Sequence, residues 1–123
     1  MKAGKNKTSV NLMFRAFSDR TRLRILHLLL NGEVCVCDLV SVTRVPQPTA
    51  SRHLAYLRRA GLILGRRDGL WNYYRLAPAK TVFHRSLIQC LKDCFQDVPE
   101  ISGDVKRAAK AGVCCASPRR KPQ

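Results

Sequence analysis

The sequence predicts a mainly α-helical domain carrying one β-hairpin, and three features point there. Apolar residues recur at helical spacing in several stretches separated by polar or glycine punctuation. Two alternating segments flank Asp68-Gly69, a strong hairpin dipeptide. Pro46 and Pro48 fall together just ahead of the clearest helical pattern, so a tight turn precedes that helix.

In chain order, residues 1–9 are polar and basic and read as a flexible N-terminal segment. Leu12, Met13, Phe14, Ala16 and Phe17 mark a first helix over residues 10–17. Ser18 or Asp19 caps a second, because a short side-chain oxygen satisfies the free amides of its first turn. Leu23, Leu26 and Leu30, with Ile25 and Leu29 half a turn over, form its buried stripe, and Asn31-Gly32 ends it in the left-handed conformation. Residues 35–43, CVCDLVSVT, read as a short helix. A long helix follows over residues 48–60, with Ala50, Leu54 and Leu57 facing inward and Gly61 as its stop. Leu62–Arg66 and Trp71–Leu76 are the two strands. Pro78 opens a last helix, whose Val82, Phe83, Leu87, Ile88, Leu91 and Phe95 form a broad apolar band. Short helix, tight turn, long helix and hairpin make a winged helix-turn-helix. The domain spans residues 10–98, and residues 99–123 read as a basic, cysteine-containing C-terminal tail. No sequence remains to cover the band on the last helix, so that helix and the first are expected to form a homodimer interface; the alternative is that the band packs on the domain's own core, as part of it must.

Charge identifies the class of partner. The chain holds 23 Lys and Arg against 8 Asp and Glu, a net charge of +15. Six arginines and no acid lie between Arg44 and Arg67. A basic stripe in the folded middle of a chain suits a polyanion. Nucleic acid is favoured over membrane because the stripe is interleaved with turn and wing signals. No apolar run approaches the roughly 20 residues that span a bilayer, and MKAGKNKTSV has no apolar stretch behind it, so a cytoplasmic protein with reduced cysteines is expected. No His, Asp, Glu or Ser constellation has catalytic spacing, so an enzyme is not expected.

In such a fold the long helix enters the major groove of double-stranded DNA, where base edges differ in donors and acceptors. Its first turns carry Gln47, Thr49, Ser51, Arg52 and His53, and the wing presents Arg66 and Arg67 to phosphates or the minor groove. Cys35 and Cys37 in EVCVCDL are soft ligands suited to As(III), Sb(III), Cd(II), Pb(II), Zn(II) or Cu(I). Taken alone, the pair fits two small packing residues better than two ligands, and it is not the CxxC spacing of a redox pair. On a regular helix, residues i and i+2 point about 200° apart. Both thiols can therefore meet one ion only if that segment is unwound or extended.

The motifs AFSDRTRLRILHLLL, EVCVCDL, QPTASRHLAYLRRAGLI and RRDGLWNYYRL, in register, resemble those of the ArsR/SmtB metalloregulatory repressors over about residues 10–95. The resemblance implies a homodimer that leaves its operator when a metal or metalloid binds, with no organic cofactor. Within EVCVCDL it favours ligation over packing, and it points to the arsenic branch. The arsenic-type motif often has a third cysteine where this chain has Val40, so Cys35 and Cys37 are one thiol short of the pyramid As(III) prefers. Cys114 and Cys115 are the candidates to complete it, with Cys90 and Cys94 as the alternative pair. Residues 1–34 lack cysteine, and His84 lacks a matching ligand on the last helix; both favour As(III), with Sb(III) as its chemical neighbour, over Cd, Pb or Zn. A further alternative is a metal-independent, redox-responsive winged-helix regulator. The family commonly has Ser or Asn where Pro46 stands, so the long helix is expected to lack its N-cap side chain.

Overall fold

The computed structural model describes residues 10–95 and 97–111. Residues 10–16 form α1, followed by α2 (Arg20–Leu28), a 3-10 turn (Leu29–Asn31), β1 (Val34–Cys35) and α3 (Val36–Thr43). Then come α4 (Gln47–Arg59), β2 (Ile63–Asp68), β3 (Trp71–Leu76), α5 (Val82–Cys94) and α6 (Pro99–Ala111). Asp19 is the cap of α2: its Oδ1 accepts from the Arg22 amide at 3.0 Å. The helix does not end left-handed. A 3-10 turn tightens its last carbonyls, and Gly32 continues at φ 133°, ψ −171°, open to glycine but strained for a residue with a Cβ.

α3 and α4 meet at a short turn, as the two prolines require. Arg44 caps α3 in the left-handed conformation, its amide donating to the Val40 carbonyl at 2.8 Å. Pro46 stands at the cap of α4 with no side-chain hydrogen bond, as its chemistry demands. α4 buries Ala50, Leu54 and Leu57 against a core built from Ile25, Leu26, Leu29, Leu39, Leu62 and Leu91.

The wing is a three-stranded antiparallel sheet in the order β1-β3-β2, one strand more than the alternation indicated. The hairpin turns through Gly69 and Leu70 between the paired Asp68 and Trp71, with Gly69 at φ 63°. β1 pairs Val34 with Tyr74 and Cys35 with Tyr73. Gly65 lies opposite Tyr74, and a Cβ there would come within 2.7 Å of the ring. α5 begins later than Pro78: Thr81 caps it, its side chain accepting from the His84 amide.

The tail reading is corrected over residues 99–111. They form α6, which buries Ile101, Asp104 and Ala108. Asp104 is the reason they fold back. Its carboxylate accepts from Arg24 Nε at 2.8 Å, Arg24 Nη2 at 3.0 Å and Arg107 Nη2 at 2.8 Å. The two arginines in turn donate to main-chain carbonyls at the end of α3, Arg24 to Thr43 and Arg107 to Val42. One turn earlier on both helices, Arg20 pairs with Glu100 at 2.9 Å. A signal based on apolar spacing does not detect a helix held by charge pairing across 80 residues. Residues 1–9 and 112–123 lie outside the described residues.

Removing a carboxylate that satisfies two arginines leaves buried charge uncompensated, which costs about 3–5 kcal/mol. Asp104→Ala should therefore unfold at least about 3 kcal/mol more easily in a urea titration; a loss under about 1 kcal/mol would show that α6 is dispensable. A second expectation concerns pH. Burial lowers the pKa of His27, His53 and His84 below the ordinary value of 6.5. The unfolded chain therefore takes up protons first, so stability is full above about pH 6.5 and declines below it. His84 is buried, and its Nε2 has no hydrogen-bond partner among the described residues. Melting should begin at a lower temperature at about pH 5.5 than at about pH 7.5. His84→Phe should narrow that difference, and an unchanged gap would assign it to the other two imidazoles.

Candidate thiol site and nucleic-acid interface

The thiol pair sits where a strand becomes a helix. Cys35 ends β1 at φ −73°, ψ 144° and serves as the cap residue of α3, while Cys37 lies in that helix's first turn. The extended geometry that one shared ion requires is thus built in, and α3 need not unwind to supply it. Their sulfurs lie 3.0 Å apart. Both can reach one thiophilic ion, since a zinc–thiolate bond, for scale, measures about 2.3 Å. Cys35 is buried at 2% exposure and Cys37 is exposed, so the pair opens to solvent on one side only.

Among the described residues, no group of three His, Cys, Asp or Glu side chains is placed to hold a metal. Cys90 and Cys94 face each other on α5: a hydrogen bond to Cys94, then burial, pushes the Cys90 thiol up and makes it a poorer thiolate. They do not approach Cys35 and Cys37 closely enough to make such a group. Cys114 and Cys115 lie outside the described residues.

The residues expected to meet DNA separate into two kinds. Gln47, Ser51, Arg52 and Arg67 are exposed, and Thr49 is half-buried at the start of α4. His53 and Arg66 are engaged by the protein itself. His53 Nδ1 lies 3.4 Å from Arg22 Nη1, and Arg22 in turn covers the Tyr56 ring at 4.1 Å. Burial is the main cause of its lowered pKa, with Arg22 and Arg52 adding to it, so the ring is neutral near pH 7. Arg66 donates from Nε and Nη2 to the two Glu33 oxygens at 2.7 and 2.8 Å and covers the Tyr73 ring at 4.5 Å. Arg66 is thus held by Glu33, whereas Arg67 beside it is exposed. Of the three wing aromatics, Tyr73 is buried and Tyr74 half-buried, whereas Trp71 is exposed at 51%.

Glu33 and Tyr73 carry no spacing signal of their own, although Glu33 is the acid that immediately precedes the thiol motif. Cys35, Tyr73 and Arg66 occupy successive places across the sheet, since Cys35 pairs with Tyr73 and Tyr73 with Arg66. Glu33, two residues before Cys35, closes this row by gripping Arg66. The thiol site and the root of the wing are thus one hydrogen-bonded unit.

Residues 19–63 match the family described as bacterial regulatory protein, arsR family. An arsenic resistance transcriptional regulator of Pseudomonas putida is 38% identical over 108 residues, 87% of this chain and 83% of that one. The chain belongs to the ArsR family. An arsenical resistance operon repressor of Escherichia coli is 43% identical over 86 residues, 69% of this chain and 74% of its own length. A cadmium resistance regulatory protein homologue of Staphylococcus aureus is 40% identical over 75 residues, 60% of this chain and 62% of that one. Among solved structures, the homodimeric winged helix-turn-helix domain of a possible ArsR-family regulator from Mycobacterium bovis superposes with a TM-score of 0.62 at 32% identity, covering 75% of this chain and 85% of that one. The fold is a winged helix-turn-helix, and the family is one of DNA-binding transcriptional regulators. Among the described residues, no helix is long and apolar enough to cross a membrane.

Burial separates the two thiols in reactivity, because alkylation needs access to the sulfur. Brief treatment of the folded protein with iodoacetamide, read by peptide mass mapping, should modify Cys37 well ahead of Cys35. Equal rates would contradict the buried placement of Cys35.

Proposed function

We propose that the chain is a homodimeric repressor that leaves double-stranded operator DNA when As(III), or its neighbour Sb(III), is held by Cys35, Cys37 and a third thiol. The observation that carries this reading is the 3.0 Å approach of the Cys35 and Cys37 sulfurs at the junction of β1 and α3. Three-coordinate thiolate binding is the chemistry the ion supplies there. The chain's own residues supply the coupling: Cys35 belongs to the wing's sheet, and Cys37 to the helix that sets the angle of α4. A shift of Cys37 against Cys35 moves α3 relative to the wing, and a change of about 1–3 kcal/mol in that relation is worth 5- to 150-fold in operator affinity.

Support for Cys114 or Cys115 as third ligand comes from α6. Ala111, its last residue, lines one concavity with Ser41 and Val42 on α3. Cys37 is four residues before Ser41, about 6 Å along that helix, and the three residues from Ala111 to Cys114 span up to about 10 Å. The arsenic resistance relatives favour As(III), and the cadmium relative supports Cd(II) as the second reading. Gln47, Thr49, Ser51 and Arg52 on α4 and Arg67 on the wing are the proposed DNA contacts, with His53 and Arg66 acting as their supports. The dimer face is proposed on α1 and α5, where Phe14 and Val82 are 57% and 70% exposed and the Phe14 and Phe83 rings meet edge to face.

The test is release of a duplex selected by the full-length chain from a random pool. Arsenite at micromolar concentration should lower affinity by about 5- to 150-fold. Cys35→Ser and Cys37→Ser should each abolish the response, and Cys90→Ser should keep it. Retention of the response in a Cys114→Ser, Cys115→Ser double variant would refute the tail ligand. Release by Cd(II) but not arsenite would favour the second reading, and release by oxidant alone would sink both.

A further inference from the structure

α6 carries a row of cations to the turn between α3 and α4. Ser41, Val42, Arg44, Arg107, Lys110 and Ala111 line one concavity there. A neighbouring one along α6 includes Lys106, Arg107 and Lys110. Arg107 anchors the row, since its Nε donates to the Val42 carbonyl at 2.6 Å and its Nη2 to Asp104. That anchoring leaves Arg44, Lys106 and Lys110 exposed around it. Among the described residues, no ion pair engages these three.

Arg44 holds φ 62°, a conformation disfavoured for any residue with a Cβ, and presents its guanidinium three residues ahead of Gln47, where α4 begins. In this fold the N-terminal end of the recognition helix is the part that enters the groove. A cationic surface continuous with that end would face the phosphates flanking such a groove. The charge also leaves little room for another class of partner. No acid occurs from Arg44 to Arg67, and the chain after Ala111 adds Arg119, Arg120 and Lys121, again without an acid.

We propose that Arg44, Lys106 and Lys110 form an additional phosphate-binding surface, by which α6 extends contact to the DNA backbone beyond the reach of α4 and the wing. The inference rests on the operator-binding reading. It assigns to α6 a task in recognition besides its packing role. Such phosphate binding carries no base information, so it adds affinity and salt dependence without changing the preferred sequence.

The experiment uses the full-length chain and its selected duplex, either as the minimal site or extended by about one helical turn, 10 base pairs, on each side. Removing one phosphate-binding cation reduces the slope of log K against log salt by about 0.9. An Arg44→Gln, Lys106→Gln, Lys110→Gln variant, which removes three cations from each protomer, should lose about 5 units of slope over the dimer and its preference for the extended duplex. Its ranking of mismatched sites should stay unchanged. Lys110→Gln alone, at an exposed position, should lose about 1 to 2 units and decides the matter if the triple variant melts early. Unchanged slope and unchanged length preference in a folded variant would overturn the proposal while leaving operator binding intact. If the wild-type chain selects no duplex at all, operator binding itself fails, and this surface with it.

Discussion

Two residues of strand pairing set the arrangement on which the rest depends. Val34 and Cys35 hydrogen-bond along β3 opposite Tyr74 and Tyr73. Because Cys35 is therefore extended, α3 cannot begin before Val36, and the chain changes from a two-residue to a 3.6-residue period between the two thiols. On either period alone the side chains at 35 and 37 would follow one regular rule, both on one face of a strand or about 200° apart on a helix. At the change of period they converge to 3.0 Å with one sulfur buried and the other open to solvent. The same pairing makes the site continuous with the wing, as Tyr73 links Cys35 to Arg66 and Glu33, just before β1, grips that arginine.

A second constraint acts at the opposite end of α3. Burying a carboxylate and two guanidinium groups is costly, and the cost is offset only when their donors and acceptors are matched. Asp104 meets that condition by accepting three hydrogen bonds, while Arg24 and Arg107 direct remaining donors to the Thr43 and Val42 carbonyls. Those carbonyls belong to the last turn of α3, which would otherwise leave them without partners. α3 is thus held at its start by the wing's sheet and at its end by α6. A short helix pinned at both ends passes a movement at one end to its neighbour instead of absorbing it, which is the property a ligand-responsive regulator needs.

Much of this was legible in the residues. Leucine spacing marked α2, Ala50, Leu54 and Leu57 marked the inner face of α4, and Asp68-Gly69 marked the hairpin. Pro46 announced an uncapped α4, and the structure shows no side chain capping it. Each of these depends on neighbours a few residues apart, where spacing and geometry are nearly the same thing. β1 was not legible, because a strand of two residues has no periodicity to show. Neither was α6, whose place is fixed by a carboxylate meeting an arginine 80 positions away. The same limit applies to Arg66 and His53, whose partners Glu33 and Arg22 are more than 30 residues distant in sequence.

By itself, then, the sequence determined the class of fold, the helix that follows the tight turn, the basic character of its surroundings and the close pair of thiols. Those properties reside in residue type and local spacing, which no later packing alters. The tertiary structure decided how the two thiols are presented and which elements they join. Whether Cys35 and Cys37 diverge or converge depends on a strand partner 38 or more residues away, Tyr73 or Tyr74. Whether an arginine meets phosphate or a carboxylate depends on which acid the fold brings beside it. Such pairings are settled only when the chain closes on itself, because each places two distant groups within a few ångströms at an entropic cost that local propensity does not record.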